Sequence, residues 1–220
     1  MTKTVLISDF DGTISGEDFF GMVVEKLLKK EDIKPWNDYV SGKITHFEAL
    51  SRIFAKVSIE QEKLDAFIQS IKIDKKFPGT LKLCARLGVP VYICSAGMDY
   101  YIYKRIPGYI EKYNIAVISN KAEYSPGTGF KLKALPEENP YYGKETGIAK
   151  EAVVEDFKRR GYFTVYAGDG RPDIKAAKSA DAVFAKGILA ALCEKENIKT
   201  LKFNDFGDIT KYIGGLYGLE

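Results

Sequence analysis

Val5-Leu6-Ile7-Ser8-Asp9-Phe10-Asp11-Gly12-Thr13 decides how the rest of the chain is read. Its first half is a short, continuous apolar run, the form taken by a strand buried on both faces. Its second half puts two carboxylates, a glycine and a hydroxyl where that strand ends. At ordinary residue frequencies a D-x-D-G-T pattern arises by accident in roughly a few per thousand chains of this length. A position directly after a β-run makes accident rarer still.

Working outward, segments 89–94, 116–119, 164–167 and 182–185 have the same short apolar form, bounded by breakers. Between them, segments 98–106, 147–160, 173–179 and 187–196 have helical spacing. Alternating strand and helix predicts an α/β fold, a doubly wound, Rossmann-like parallel sheet with right-handed crossovers and helices on both faces. Ligands of such sheets bind beyond the carboxyl ends of the strands. Three of those ends carry reactive sequence: Asp9 to Thr13, Ser95-Ala96-Gly97, and Gly168-Asp169-Gly170-Arg171-Pro172-Asp173. One stretch breaks the alternation. Residues 16–75 contain only amphipathic helical patterns, at 19–30, 46–57 and 61–71, and are far too long for an ordinary loop. They are predicted to form an α-helical cap inserted in a catalytic core made of residues 1–15 and 76–220. Segment 121–143, rich in Tyr, Pro and Gly, predicts a hairpin or flap that shapes the site entrance.

Bulk properties narrow the class. A chain of 220 residues that is 45% hydrophobic can bury a full core and a modest second domain. A net charge of +3 does not point to nucleic acid, and the runs Lys29-Lys30, Lys75-Lys76 and Lys158-Arg159-Arg160 read as solvated faces. Cys84, Cys94 and Cys193 are odd in number and lack metal spacing, which predicts reduced core thiols in a cytoplasmic protein. Asp9 interrupts the first apolar run and no run reaches membrane-spanning length, so neither a secretory leader nor a membrane partner is expected.

The carboxylates suit phosphoryl chemistry. An Asp side chain can attack phosphorus and split one difficult displacement into two easier ones. Because attacker and target are both anions, a divalent cation and fixed donors are needed to neutralise the developing charge. Asp9 is the expected nucleophile and a metal ligand. Asp11 is expected to protonate the leaving oxygen and then activate water, and is counted with Asp9, Asp169 and Asp173 in an all-oxygen site suited to Mg²⁺. Ser95, together with the backbone N–H groups of Ser95 to Gly97, including that of Ala96, is expected to bind phosphate oxygens at a helix start. Lys150 is expected to bring a point positive charge to Asp9 and the phosphate.

Taken singly, each part has an ordinary reading: Asp9-x-Asp11-Gly12 as an Asx-turn, Asp169-Gly170 as a turn, Ser95 as a helix N-cap, Lys150 as a solvated helix residue. Their chain order and shared placement at strand ends argue for convergence on one rim. Competing motifs fail on detail. A calcium loop from Asp9 wants Gly at Ile14 and Glu at Phe20; Gly168-x-Gly170-x-x-Asp173 lacks the third Gly of a dinucleotide fingerprint; Gly127-Thr128-Gly129 lacks the ending of a P-loop. His46, the only histidine, reads as a surface or packing residue of the cap. Trp36, Phe19, Phe20, Tyr39, Phe47 and Phe54 read chiefly as cap core, with some lining a pocket.

On these residues the chain resembles the haloacid dehalogenase-like phosphatases: Asp9 to Thr13 match their first motif, Ser95 the second, Lys150 the third, and Gly168 to Asp173 the fourth. The resemblance implies Mg²⁺-dependent transfer of phosphate from a small phosphorylated metabolite through an aspartyl-phosphate on Asp9. The helical cap resembles the phosphoserine phosphatase branch. Cys94 to Tyr103, with Ser41-Gly42-Lys43-Ile44-Thr45, are similar to the methionine-salvage phosphatases acting on 2-hydroxy-3-keto-5-methylthiopentenyl-1-phosphate. That group usually has Gly at Ala96, a small hydroxyl residue at Gly170, and a cysteine-bearing stretch before Lys150. These departures bear on the substrate rather than on the general chemistry. Asp18 matches an acidic position near the cap hinge of this branch, expected to touch substrate or orient the lid. Arg52 is expected either to clamp a substrate carboxylate, as phosphoserine recognition requires, or to be a solvated helix residue. A phosphotransferase or mutase, and a phosphate-accepting signalling module, remain alternatives to hydrolysis.

Overall fold

The computed structural model describes residues 3–219. Six strands form one sheet: β1 (Thr4–Ser8), β2 (Val91–Met98), β3 (Ala116–Ser125), β4 (Gly129–Lys133), β5 (Phe163–Gly168) and β6 (Ala182–Ala185), in the order β4-β3-β2-β1-β5-β6. All neighbours are parallel except β3 and β4, which make an antiparallel hairpin. The chain winds from β1 outward to β3 and then restarts on the far side of β1 at β5. The point of reversal, where crevices open in sheets of this kind, therefore lies at the end of β1.

Alternation along β1 divides the core. Leu6 packs with Phe77, Leu81, Phe206 and Ile209, from α5 (Phe77–Leu87) and α11 (Phe206–Leu216), on one face. Val5 and Ile7 pack with Val153, Val154 and Phe157, from α8 (Lys150–Arg159), on the other. With both faces covered, every residue of β1 is buried, which is why its sequence shows no polar alternation. The three cysteines are free and buried. No helix among the described residues is long and apolar enough to cross a membrane.

Helices α6 (Asp99–Arg105), α9 (Ile174–Ser179) and α10 (Gly187–Lys195), like α8, fall within the segments with helical spacing. So do α1 (Phe19–Lys26), α3 (His46–Phe54) and α4 (Gln61–Gln69) in the segment inserted after β1. Four helices fall outside them: α2 (Lys34–Val40), α5, α7 (Pro107–Tyr113) and α11. Three of the four carry proline in the first turn, where the missing N–H costs nothing but the residue reads as a breaker. The fourth contains Gly214-Gly215 and is held by burial of Phe206, Ile209 and Ile213. The inserted segment leaves and re-enters at one place. Ser15 bridges Ile73, the Gly16 N–H donates to the Lys72 carbonyl at 2.9 Å, and the Asp74 N–H to the Ile14 carbonyl at 2.9 Å.

The hairpin expected within 121–143 is present as the end of β3 and β4, but it does not shape the site entrance. It supports the insertion from below. The Tyr124 hydroxyl donates to the Ile59 carbonyl at 2.6 Å and accepts the Ile59 N–H at 3.0 Å, and Phe130 meets Phe54 edge-on. Gly129, at φ +75°, sits so close to the Ala55 backbone that a Cβ would overlap it. Gly129→Ala is therefore expected to lower stability by about 1–3 kcal/mol, through overpacking and positive φ together. A denaturant melt of the variant against the parent checks this.

Candidate active site

Strand register brings the reactive ends together. Ser8 pairs with Ala167 of β5 on one side and Ile93 of β2 on the other. Asp9 thus lies one residue beyond the ladder, beside Gly168 and Asp169, with Ser95 two residues past Ile93. The Asp9 N–H donates to the Ala167 carbonyl at 2.8 Å, which fixes its backbone. Gly12, at φ +64°, turns the chain back over this rim, and a Cβ there would overlap the Asp169 carboxylate.

Lys150 opens α8 and is almost fully buried, with Nζ 2.9 Å from Asp9 Oδ1 and 2.6 Å from Asp173 Oδ1. Burial opposes its charge, but Asp173 and Asp9 more than compensate, so its pKa is raised and it stays a cation. The solvated-helix reading of Lys150 does not apply. Asp9 is shifted well up, by burial first, then by Asp173, with Lys150 opposing. Asp9 Oδ1 also accepts the Phe10 N–H at 2.8 Å, which leaves Oδ2 with no hydrogen-bond or ion-pair partner among the described residues.

Oxygens of Asp9, Asp169 and Asp173 lie within 4.8 Å of one another. Asp173 is already saturated: it accepts Lys150 and the Tyr166 hydroxyl, each at 2.6 Å, on Oδ1, and the N–H groups of Asp169 at 3.1 Å and Gly170 at 2.9 Å on Oδ2. Four donors fill the roughly four lone-pair sites of a carboxylate. Asp173 thus holds the loop and Lys150 in place, and Asp9 and Asp169 are the members of the cluster with oxygens left to meet a cation. This hard, all-oxygen donor set fits Mg²⁺, which binds through one or two carboxylates and keeps waters.

The Asp11 carboxylate, expected among the metal ligands, stands outside this cluster. Its Oδ1 accepts the Phe19 N–H at 3.0 Å; its Oδ2 accepts the hydroxyls of Tyr101 and, at 3.4 Å, Ser95. Burial, then the neighbouring Asp18, push it up to about 7, against the hydrogen bonds from Tyr101 and Phe19. That is the range in which a carboxyl can both give and take a proton near neutrality. Asp18 is the N-cap of α1, accepting the N–H groups of Phe20 and Gly21, and it also lines the cavity.

Ser95 and Ala96 do not sit at a helix start as expected. They lie on β2, whose pairing with β3 slips between Ser95 and Met98, so that Ala96 and Gly97 bulge out to line the cavity. The Gly97 N–H is taken by Ser95 Oγ at 3.1 Å, and Asn120 Nδ2 pins the Ala96 carbonyl at 2.9 Å. Sequence reasoning missed Tyr101, Asn120, Tyr166 and Thr13, whose hydroxyl donates to Asp169 at 3.2 Å. Tyr101 is one of fourteen tyrosines, on a helix face that reads as core, and no pattern announces that its hydroxyl has a partner.

Above the rim opens a cavity of about 780 Å³. The core lines its floor with Asp9, Asp11, Ser95, Lys150 and Asp169; the insertion contributes Phe20, Trp36, Tyr39, His46, Leu50 and Phe54. Val40 of α2 and Ile188 of α10 also line it, 71% and 55% exposed.

The crowded carboxylates make stability pH-dependent. Burial, then Asp173, push Asp169 from 3.8 up to about 6. The folded state thus binds its proton more tightly than the unfolded state, so stability falls as pH rises from about 4 to about 6 and the loss is complete above that. Without metal, Asp169→Asn is expected to flatten this decline. Thermal melts of both proteins under chelation across that range check it, and parallel curves would refute the assignment.

Residues 6–178 match the family model for haloacid dehalogenase-like hydrolases. A 2-hydroxy-3-keto-5-methylthiopentenyl-1-phosphate phosphatase of Bacillus cereus is 26% identical over 219 residues, covering 96% of each chain. Among solved structures, a substrate-bound phosphoserine phosphatase complex superposes with a TM-score of 0.69 at 22% identity, covering 96% of this chain and 99% of that one. A phospho-aspartyl intermediate analogue of phosphoserine phosphatase gives 0.68, with the same identity and coverage. With the family model matching residues 6–178, from β1 into α9, the chain belongs to the haloacid dehalogenase-like hydrolases.

Proposed function

We propose that this chain is a Mg²⁺-dependent phosphatase that hydrolyses a small-metabolite phosphomonoester through an aspartyl-phosphate on Asp9, in the cytoplasm, with residues 16–75 as the cap. One observation carries the reading. Among the described residues nothing engages Asp9 Oδ2, while Oδ1 is held by Phe10 and Lys150, at the floor of a cavity where Asp169 and Asp11 also converge. A carboxylate fixed by one oxygen presents the other for in-line attack. Mg²⁺ bound by Asp9 and Asp169 supplies charge neutralisation between carboxylate and phosphate. Lys150 favours the ionised form of Asp9 against the burial that opposes it, and Ser95 and the Ala96 amide receive phosphate oxygens. Asp11 gives its proton to the departing alkoxide and then takes one from the water that cleaves the acyl phosphate.

Substrate class follows from the cap. It contributes aromatic and aliphatic side chains to the cavity, and among the described residues no Lys or Arg of segment 16–75 lines it; Arg52 is exposed elsewhere. Arg171, from the loop after β5, also lines the cavity, so the cap itself gives an amino-acid zwitterion's carboxylate no cationic partner and leaves any such contact to the core. A phosphorylated metabolite with an apolar tail, such as the methylthiopentenyl phosphate named for the Bacillus cereus relative, fits better than phosphoserine.

Asp9→Asn is expected to abolish hydrolysis of p-nitrophenyl phosphate, and chelation to do the same reversibly; substantial activity in either case would refute the mechanism. With excess alcohol acceptor, phosphate released should equal phenol released, whereas phosphate transferred to the alcohol would favour a phosphotransferase. Tyr101→Phe is expected to lower kcat about tenfold for an alkyl phosphate, whose leaving group needs a proton, and much less for p-nitrophenyl phosphate, because the variant loosens Asp11. Steady-state kinetics on both substrates check this.

A further inference from the structure

His46 is the first residue of α3, and both ends of its environment are fixed. On the core side, its backbone N–H donates to Glu145 Oε1 at 3.2 Å and the Phe47 N–H to the Glu145 carbonyl at 3.0 Å, which ties α3 to the loop leading into Lys150. On the insertion side, its ring meets Trp36 and Tyr39 edge-on, with centroids 5.9 Å and 5.3 Å apart. The ring lines the cavity, and its Nδ1 is sealed from solvent with no hydrogen-bond partner. Burial, then Lys150, lower its pKa to about 4, so the imidazole is neutral at neutral pH. A neutral ring carries one N–H. A buried N–H without a partner is rarer and costlier than a bare lone pair, so the proton belongs on Nε2. Nε2 has no hydrogen-bond partner among the described residues either, and, unlike Nδ1, it is not sealed from solvent; on a ring that lines the cavity it is the nitrogen available to a ligand.

In a cap wall that is chiefly aromatic and aliphatic apart from Asp18 and the polar edges of Trp36 and Tyr39, a neutral ring donor is a recognition element rather than a packing residue. A hydrophobic pocket rejects unwanted polar groups weakly, whereas a site built to hydrogen-bond an oxygen strongly disfavours analogues lacking it. Resting on the phosphatase reading above, we infer that His46 determines leaving-group specificity: its Nε2–H donates to a neutral keto or hydroxyl oxygen on the substrate's carbon chain, while the chain's apolar end lies against Phe20, Trp36 and Phe54.

The test compares kcat/KM for 2-oxopentyl phosphate and pentyl phosphate in the parent, His46→Leu and His46→Gln, with Asp9→Asn alongside. The parent is expected to prefer the oxo compound by roughly tenfold, the worth of one neutral hydrogen bond. His46→Leu should erase that preference by raising KM for the oxo compound alone, and His46→Gln, which keeps a donor, should restore most of it. A thermal melt matching the parent's shows that His46→Leu folds, so that a lost preference reports recognition rather than unfolding. Equal losses on both substrates, an unchanged ratio, or no preference in the parent would overturn the assignment of His46. If Asp9→Asn is inactive while the ratio is unchanged, only His46 is misassigned. An active Asp9→Asn would instead overturn the phosphatase mechanism itself.

Discussion

Everything at this rim depends on burying one cation among several anions. Lys150 touches Asp9 and Asp173 at once, with almost no exposure of its own. One positive charge cannot balance three carboxylates whose oxygens lie within 4.8 Å; burial first, and the remaining repulsion from Asp173 second, push Asp9 and Asp169 toward the protonated form. The protein meets this partly with neutral donors. Tyr166 and two backbone amides take up the lone pairs of Asp173, so the most buried acid is the best solvated by protein. What is left over is a pair, Asp9 and Asp169, with unmet demand for positive charge, the condition under which a hard dication binds well.

The proton donor obeys a different rule. Asp11 is held by a core tyrosine and by the first amide of α1, and that tyrosine stacks on Phe19, the residue supplying the amide, at 4.1 Å between centroids. Its orientation is therefore shared between sheet and insertion. Any rotation of the insertion about its neck must act on Asp11 through Phe19, while Asp9, fixed in the β1–β5 ladder, is insulated from it.

How much of this was legible follows from which forces write themselves into pattern. Buried parallel strands leave contiguous apolar runs, so β1, β2, β5 and β6 could be read from Val5, Val91, Val165 and Val183 and their neighbours. Their shared carboxyl end places Asp9, Ser95 and Asp169 on one rim. Helices begun by Pro35, Pro78 or Pro107 hid behind residues that usually signal breaks. The hairpin was readable but its role was not, because what β4 touches depends on where α3 lies, and local sequence does not carry that. Long-range polar contacts were the least visible. Nothing near Tyr101 in the chain hints at Asp11, ninety residues earlier, and nothing around Asp173 reveals that its oxygens are fully spoken for. Asp11 reads in sequence as a metal ligand beside Asp9, and its carboxylate lies outside the cluster of Asp9, Asp169 and Asp173 because Tyr101 and the Phe19 amide hold it.

The neck has a broader meaning. Residues 14–16 and 72–74 lie side by side, joined by backbone bonds alone, so the inserted segment enters and leaves the sheet through one narrow doorway. To the core, such a segment is an exchangeable cassette: its length and lining can be rewritten while the ladder that aligns Asp9 with Asp169 keeps its register. Inheritance can therefore alter what is recognised and how it is transformed on separate schedules, a modularity that a binding wall woven from the sheet's own loops would not allow.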